Sequence, residues 1–233
     1  MTTADPGAGA TRTDTLLAED LLLLLFQPAS GTIAGENTLF YVLGGAVVTE
    51  LAQSGGVTID DAGLRGHLVR AAGDTPPADP VLAQTWEYVD KPRGIQTVIA
   101  AMGPTLRGAL LDRLVERGIL RRESGRALGF IPTTTLELAD TDRRAQLVGR
   151  LRAVLVDGAA ADDRVASLIA LISASGSLPY FDAEIPWNST VATRGTAFER
   201  GDTGAEAAGQ AVTRTMAAVV VNAMVAAAVL PGR

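Results

Sequence analysis

Residues 116–135 read ERGILRRESGRALGFIPTTT, and this stretch decides the fold class predicted for the chain. Gly118 follows a helical pattern and predicts the end of a helix. The tetrapeptide ESGR, residues 123–126, predicts a turn between two strands that begin at Ile119 and Ala127. The sequence therefore predicts a long helix followed directly by an antiparallel β-hairpin.

Most of the remaining sequence is typical of α-helices. Apolar residues recur with a helical period, often after an acidic or Thr cap and before a Gly. Two short runs, residues 57–60 and 67–73, are typical of strands instead. We therefore expect a mainly α fold, a single compact multi-helix domain with a small β-hairpin and short β elements. The expected helices cover roughly residues 14–26, 38–54, 81–90, 95–117, 141–157, 162–175 and 216–230, with a break or kink at Pro104.

The composition of the chain also predicts how it is divided. Residues 1–13 are small and polar, which is typical of a flexible N-terminal tail. Residues 14–233 are then expected to form the single domain. Within that domain residues 188–210 are rich in Gly and Thr and lack a helical period, so a long loop is expected there.

The most apolar stretch is residues 216–230, MAAVVVNAMVAAAVL. Its fifteen residues, with Asn222 among them, fall short of the roughly 20 that a helix needs to span a bilayer. This pattern favours a buried C-terminal helix. Because the N-terminus lacks the apolar run of a secretory signal, a cytoplasmic protein is expected.

The inventory of catalytic residue types is small. The chain has no cysteine and a single histidine, His67, which excludes thiolate and histidine-rich metal sites. No G-x-S-x-G elbow accompanies His67, and no phosphate-binding G-x-x-x-x-G-K-[ST] motif occurs. Adjacent carboxylates occur at helix starts, where capping explains them. We therefore expect no enzyme activity, no metal and no cofactor.

Charge is distributed unevenly along the chain. The formal net charge is −6, yet residues 91–152 hold twelve basic and six acidic residues. An anionic partner is expected to bind this block, because the local electrostatic potential decides where an anion binds more than the net charge of the whole chain does. The alternative is that these arginines pair with neighbouring acids on solvated helix faces, as Asp112 and Glu116 allow for Arg113 and Arg117.

A helix followed by a basic hairpin is also typical of winged-helix DNA binders, whose wing arginines contact phosphates. In this chain the helix before the hairpin lacks a row of Asn, Gln and Arg side chains for reading base edges. The sequence outside the basic block is acidic as well. Nucleic-acid binding is therefore the weaker alternative, and we expect no nucleic-acid partner.

Four stretches, in this order, resemble the Golgi phosphoprotein 3 family, including its bacterial members. They are LLAEDLLLLL, GGAVVTELAQSGGVTID, LVERGIL followed by the hairpin, and DRVASLIALISASG, and the similarity extends from about Leu16 to Ser175. The resemblance implies a single, mostly helical domain with a β-hairpin. It further implies a peripheral membrane binder without catalysis.

The resemblance also implies site positions. Eukaryotic members of the family recognise phosphatidylinositol 4-phosphate through one Trp and several Arg, and use the hairpin in membrane contact or self-association. Aligned with this sequence, the Trp position falls near Gly35, one Arg position on Gly44 and a second near Pro104. A third Arg position is retained as Arg107.

A lipid hypothesis joins the basic block to this resemblance. Arginine makes bidentate contacts with phosphate, and a Leu or Phe adds apolar contact with the acyl region. The expected partner is an anionic, phosphoinositide-like phospholipid, bound peripherally at the inner face of the membrane. The alternative is a homo-oligomeric protein-interaction scaffold on the same fold. The expected site residues are Arg107, Arg121, Arg122 and Arg126 for the head group, and Leu128 and Phe130 for membrane or dimer contact.

Overall fold

A computed structural model describes residues 15–127, 131–202 and 207–229. In these residues the backbone forms eight α-helices and seven short β-strands, which confirms the mainly α fold class. The helices are α1 Leu17–Leu25, α2 Leu39–Gln53, α3 Pro80–Tyr88, α4 Ile95–Glu116, α5 Thr141–Leu155, α6 Asp163–Ala174, α7 Ser189–Arg200 and α8 Ala207–Val229. The strands are β1 Phe26–Gln27, β2 Thr32–Ile33, β3 Val57–Asp61, β4 His67–Ala71, β5 Arg93–Gly94, β6 Leu120–Ala127 and β7 Ile131–Leu138.

Helix α1 occupies the centre of the core. All nine of its residues are buried, including two acids, and it contacts α2, α4, α5 and α6. A helix surrounded on every side cannot show a single apolar stripe, and this explains the unbroken leucine run.

Helix α2 approaches its neighbours closely through two adjacent glycines. A Cβ on Gly44 would lie 3.0 Å from Cγ2 of Ile99 on α4, and a Cβ on Gly45 would lie 3.1 Å from Cγ2 of Val220 on α8. On the α4 side, a Cβ on Gly103 would lie only 2.5 Å from the carbonyl oxygen of Phe40. Because glycine has no side chain, the backbones of α2, α4 and α8 can pack close together at these positions.

The strands form three small antiparallel sheets. Strands β1 and β2 pair, β3, β4 and β5 form a three-stranded sheet, and β6 pairs with β7. The β6–β7 hairpin runs from the pair Leu120–Leu138 to the pair Ala127–Ile131. It follows α4 directly, as the sequence predicted.

The predicted position of the hairpin turn was wrong. Residues 123–126 continue β6, with Ser124 opposite Thr134 and Gly125 opposite Thr133. The turn propensity of Ser-Gly is overridden because three successive threonines on β7 extend the ladder, and strand preference depends strongly on the partner strand. The two strands are connected by residues 128–130, which lie outside the described residues.

The long loop expected over residues 188–210 was also wrong, because Ser189–Arg200 form α7. The side-chain oxygen of Asn188 accepts a hydrogen bond from the backbone N–H of Val191, at 3.0 Å, and so caps the helix. Its buried residues are Val191, Gly195 and Phe198. This stripe is too narrow to stand out among Thr and Gly, so the sequence pattern did not show a helix.

We expect substitutions of two glycines of α4 to change stability in opposite directions. Gly103→Ala should lower the free energy of unfolding by about 1–3 kcal/mol, since its Cβ would collide with the Phe40 carbonyl oxygen. Gly108→Ala should raise it by about 0.5–1 kcal/mol, because a Cβ there meets no atom within 4 Å. Urea unfolding of both variants measures the difference, and equal effects would show that α2 and α4 are not in close contact.

Candidate functional site

Several arginines of the basic block form ion pairs with carboxylates within the fold. Nε of Arg113 lies 3.1 Å from Oε1 of the fully buried Glu19, and its Nη2 lies 2.7 Å from Asp79 Oδ2. Burial by itself lowers the pKa of Arg113, but the hydrogen bonds to Asp79 and Glu19 outweigh it and the pKa is raised. Nε of Arg117 also contacts Glu19, at 3.3 Å. These two arginines pair with Glu19 of α1, and Arg113 also pairs with the N-cap residue of α3, so both are structural.

Arg107, the arginine expected at the head-group site, projects from α4 with 46% of its side chain exposed. Its Nε lies 2.5 Å from Oε1 of Glu36. Glu36 begins a short 3₁₀ turn after Gly35, whose φ of 67° is left-handed. The side chain of Arg107 is therefore oriented by a carboxylate that is itself half exposed.

Glu36 also lines a polar cavity of about 470 Å³. The cavity lies between the β1–β2 hairpin, the 3₁₀ turn at Glu36 and the chain that follows α6. Eight of its twelve lining residues carry polar side chains, and hydroxyl and amide groups of this kind bind the hydroxyls and phosphate oxygens of a polar head group. Its polar side chains are Gln27, Thr32, Glu36, Asn37, Thr38, Ser175, Ser177 and Tyr180.

Two large aromatic side chains are exposed in the connection between α6 and α7. Tyr180, which lines the polar cavity, is 56% exposed, and Trp187 is 42% exposed. Exposed Tyr and Trp combine an apolar ring with a polar atom, a combination that is enriched at membrane interfaces. Neither residue was predicted from the sequence, because neither belongs to a periodic pattern.

The positions implied by the family resemblance are not all at this cavity. Gly35 lines it, and a Cβ there would lie 2.9 Å from Oγ of Ser177. Gly44 is instead buried against Ile99 in the α2–α4 contact, where no large side chain would fit. Pro104 is exposed on α4, one turn before Arg107. Of the four implied positions, Gly35 therefore lines the cavity and Arg107 lies beside it through its pair with Glu36.

The two hairpin arginines whose side chains are described point to opposite faces, as successive strand residues do. Arg121 lies opposite Glu137, with its Nη2 2.8 Å from Glu137 Oε2, and that hydrogen bond raises the pKa of Arg121. Arg122 contacts Asp112 on α4. The structure therefore does not bring Arg121 and Arg122 into one patch. Arg121 pairs with two carboxylates, those of Glu137 and Glu123, and Arg122 pairs with one.

The remaining hairpin residues of the lipid hypothesis can be placed only in part. The backbone of Arg126 pairs with Pro132 in the hairpin ladder. Its side chain is not described. Leu128 and Phe130 lie outside the described residues, so their contact with membrane or with a second copy stays a prediction.

These features define a class of protein: a mainly α domain with a central buried helix, a basic antiparallel hairpin and a polar surface cavity. The chain belongs to the Golgi phosphoprotein 3 (GPP34) family, whose sequence model matches residues 17–219, most of the chain. This confirms the resemblance seen in the sequence. No curated protein matches the sequence. Among the described residues, no helix combines the length and apolarity needed to cross a bilayer.

Glu50 on α2 provides a test of the buried ionic network. Its Oε2 accepts a hydrogen bond from the backbone N–H of Leu17 at 2.7 Å, and its Oε1 lies 3.6 Å from Arg164 Nη1. Burial raises the pKa of Glu50 above its ordinary value of 4.5, despite the opposing effect of these contacts. The folded chain therefore holds more protons than the unfolded chain between the two pKa values, and its stability falls as pH rises through that window.

We expect Glu50→Gln to be at least as stable as the parent at pH 7, because Gln keeps an oxygen for the Leu17 N–H and carries no charge to desolvate. The advantage of the variant should shrink as pH falls toward about 4.5, where the unfolded carboxyl protonates. Urea unfolding of the variant and the parent at pH 4.5, 5.5 and 7 measures this difference in the free energy of unfolding. A variant that is less stable at pH 7 and equal at pH 4.5 would reverse the sign and contradict the raised pKa.

Proposed function

We propose that the chain is a non-catalytic peripheral membrane module that docks on anionic, phosphoinositide-like lipid head groups at the inner face of the membrane. The observation that carries the proposal is the half-exposed Arg107, held by Glu36 at the edge of a polar cavity. Membership of the Golgi phosphoprotein 3 family supports it. The head-group ligand is thus expected between Arg107 and the cavity wall.

The pairing of Arg107 with Glu36 is compatible with this role. Both side chains are nearly half exposed, and an exposed ion pair contributes only about 0–1 kcal/mol. A phosphate monoester head group carries more negative charge than a carboxylate and, like a carboxylate, accepts two guanidinium hydrogen bonds at once. Phosphate is therefore expected to replace Glu36 at Arg107, while hydroxyls and amides of the cavity receive the rest of the head group.

Additional contacts would come from the surface around the cavity and from the hairpin. Tyr180 and Trp187 present exposed rings suited to the interfacial region of a bilayer. On the hairpin, the pairs made by Arg121 and Arg122 are exposed, but the two side chains point to opposite faces, so a bilayer docked on one face would meet only one of them. Arg126, Leu128 and Phe130 belong to the same proposal, on the sequence pattern alone. Several weak contacts of this kind add up to reversible docking.

Vesicle co-sedimentation tests the proposal. Phosphatidylcholine vesicles should not bind the chain, whereas vesicles that also contain phosphatidylserine or phosphatidylinositol 4-phosphate should bind it, less so at high salt. Arg107→Ala should weaken binding by about fivefold, since one Arg near an anionic surface contributes about 1 kcal/mol. Glu36→Gln should strengthen binding, because it releases Arg107 without removing the polar side chain.

Arg152→Ala is the matched control, because Arg152 is a similarly exposed helix arginine elsewhere, on α5. It should change vesicle binding by less than twofold. Equal losses for Arg107→Ala and Arg152→Ala would show that only general charge matters, and the site would be refuted. Absence of binding to every vesicle, together with a stable dimer in sedimentation equilibrium, would favour the homo-oligomeric scaffold.

A further inference from the structure

A second cavity, of about 360 Å³, lies between α1, α5 and the first turn of α6. The helices that line it do not line the cavity beside Glu36. Helix α5 supplies Arg143, Leu147 and Arg150, which share one face because they are four and three residues apart. The volume is near the lower end of the about 300–1,000 Å³ typical of ligand pockets. We call this cavity the three-arginine cleft.

Three of the eight residues that line the three-arginine cleft are cationic. Arg143 and Arg150 of α5 and Arg164 of α6 line it, against a single carboxylate, that of Asp20. Asp20 is shared, since its Oδ1 lies 2.7 Å from Arg143 Nη2 and its Oδ2 lies 2.7 Å from Arg164 Nη2. Because Asp20 is only 3% exposed, it holds two guanidinium groups in fixed positions at the wall.

The third arginine is held more loosely. Arg150 pairs with Asp162, which lies outside the wall, and their side chains are 39% and 60% exposed. The other oxygen of Asp162 caps α6 by accepting a hydrogen bond from the Val165 N–H. In addition, Nε of Arg143 is buried and has no hydrogen-bond acceptor within the part of the chain that the structure describes. An incoming anion can therefore replace Asp162 at Arg150 without disturbing the buried pairs.

The floor of the cleft is apolar. Leu147 and Ala153 line it, together with the methylene groups of the arginine side chains. A Cβ added at Gly149, which also lines the cleft, would meet no atom within 4 Å, so this part of the cleft is open. We infer that the three-arginine cleft binds a small amphiphilic anion, a phosphate monoester or carboxylate on a short apolar body. Such a ligand matches both the cationic wall and the apolar floor.

Calorimetric titration of the full chain tests this inference, with hexyl phosphate as the probe. Inorganic phosphate and hexanol, which each carry half of the proposed chemistry, should bind at least about tenfold more weakly. One molecule of hexyl phosphate should bind per chain. Equal affinity for inorganic phosphate would overturn the role of the apolar floor, and absence of binding by hexyl phosphate would overturn the site.

Variants of α5 and α6 locate the site. Arg150→Gln should weaken hexyl phosphate binding by about tenfold, as expected for a charge-assisted hydrogen bond, and Gly149→Leu should block it by filling open space. Asp162→Asn should strengthen binding, because Asn retains the cap of α6 and releases Arg150. Arg152→Gln, on an exposed position of the same helix, is the control and should leave the affinity within twofold. Parent-like affinity in both Arg150→Gln and Gly149→Leu would refute the assignment.

The Arg107→Ala variant separates this site from the proposed head-group site, and it should bind hexyl phosphate like the parent. Vesicles containing phosphatidic acid then distinguish two sources of the anion. Displacement of this variant from the vesicles by hexyl phosphate would indicate a lipid phosphate as the natural ligand. Unchanged vesicle binding, with hexyl phosphate bound in solution, would indicate a soluble ester. Loss of hexyl phosphate binding in Arg107→Ala would overturn the independence of the two sites.

Discussion

The burial of two adjacent carboxylates on α1 constrains the rest of the fold. Glu19 and Asp20 lie inside a helix that is surrounded by other helices, and an unpaired charge there would cost several kcal/mol. Each carboxylate is therefore matched by two guanidinium groups from other helices. The four arginines are Arg113 and Arg117 of α4 for Glu19, and Arg143 of α5 and Arg164 of α6 for Asp20. Because these contacts join the central helix to three neighbours, charge pairing fixes how the helices are placed around the leucine run.

This requirement changes the meaning of the basic block between residues 91 and 152. Counted along the sequence, the block has a surplus of positive charge, but several of its arginines pair with acids from other parts of the chain. Arg144, for example, is almost fully buried and contacts Glu184 and the carbonyl oxygen of Phe26. The surplus at the surface is consequently smaller than the sequence indicates. Local charge along a sequence overestimates surface potential whenever the acidic partners are distant in sequence.

The sequence predicted the elements of the fold better than the site. The unbroken leucines of α1, the glycine after α4 and the hairpin are local patterns, so the helices and the β6–β7 pair could be predicted. The continuation of β6 through residues 123–126 and the helix α7 could not be predicted, because cross-strand pairing decides the first and the packing of three buried residues decides the second. The cavity beside Glu36 joins segments distant in sequence. No periodicity or spacing marks such a place, and only the retained Arg107 indicated it.

Burial of the carboxylate partner separates structural arginines from those free to bind a ligand. Glu19 and Asp20 have almost no exposure, so water cannot solvate them if their arginines turn away, and these pairs must persist. Glu36 and Asp162 are about half exposed, so each can be solvated once an anion takes its arginine. A carboxylate of this second kind pairs with an arginine beside a cavity, and the pair contributes little to stability. The cavity beside Glu36 and the three-arginine cleft each have such a pair at the edge, whereas the buried pairs of Asp20 hold the wall of the cleft in place.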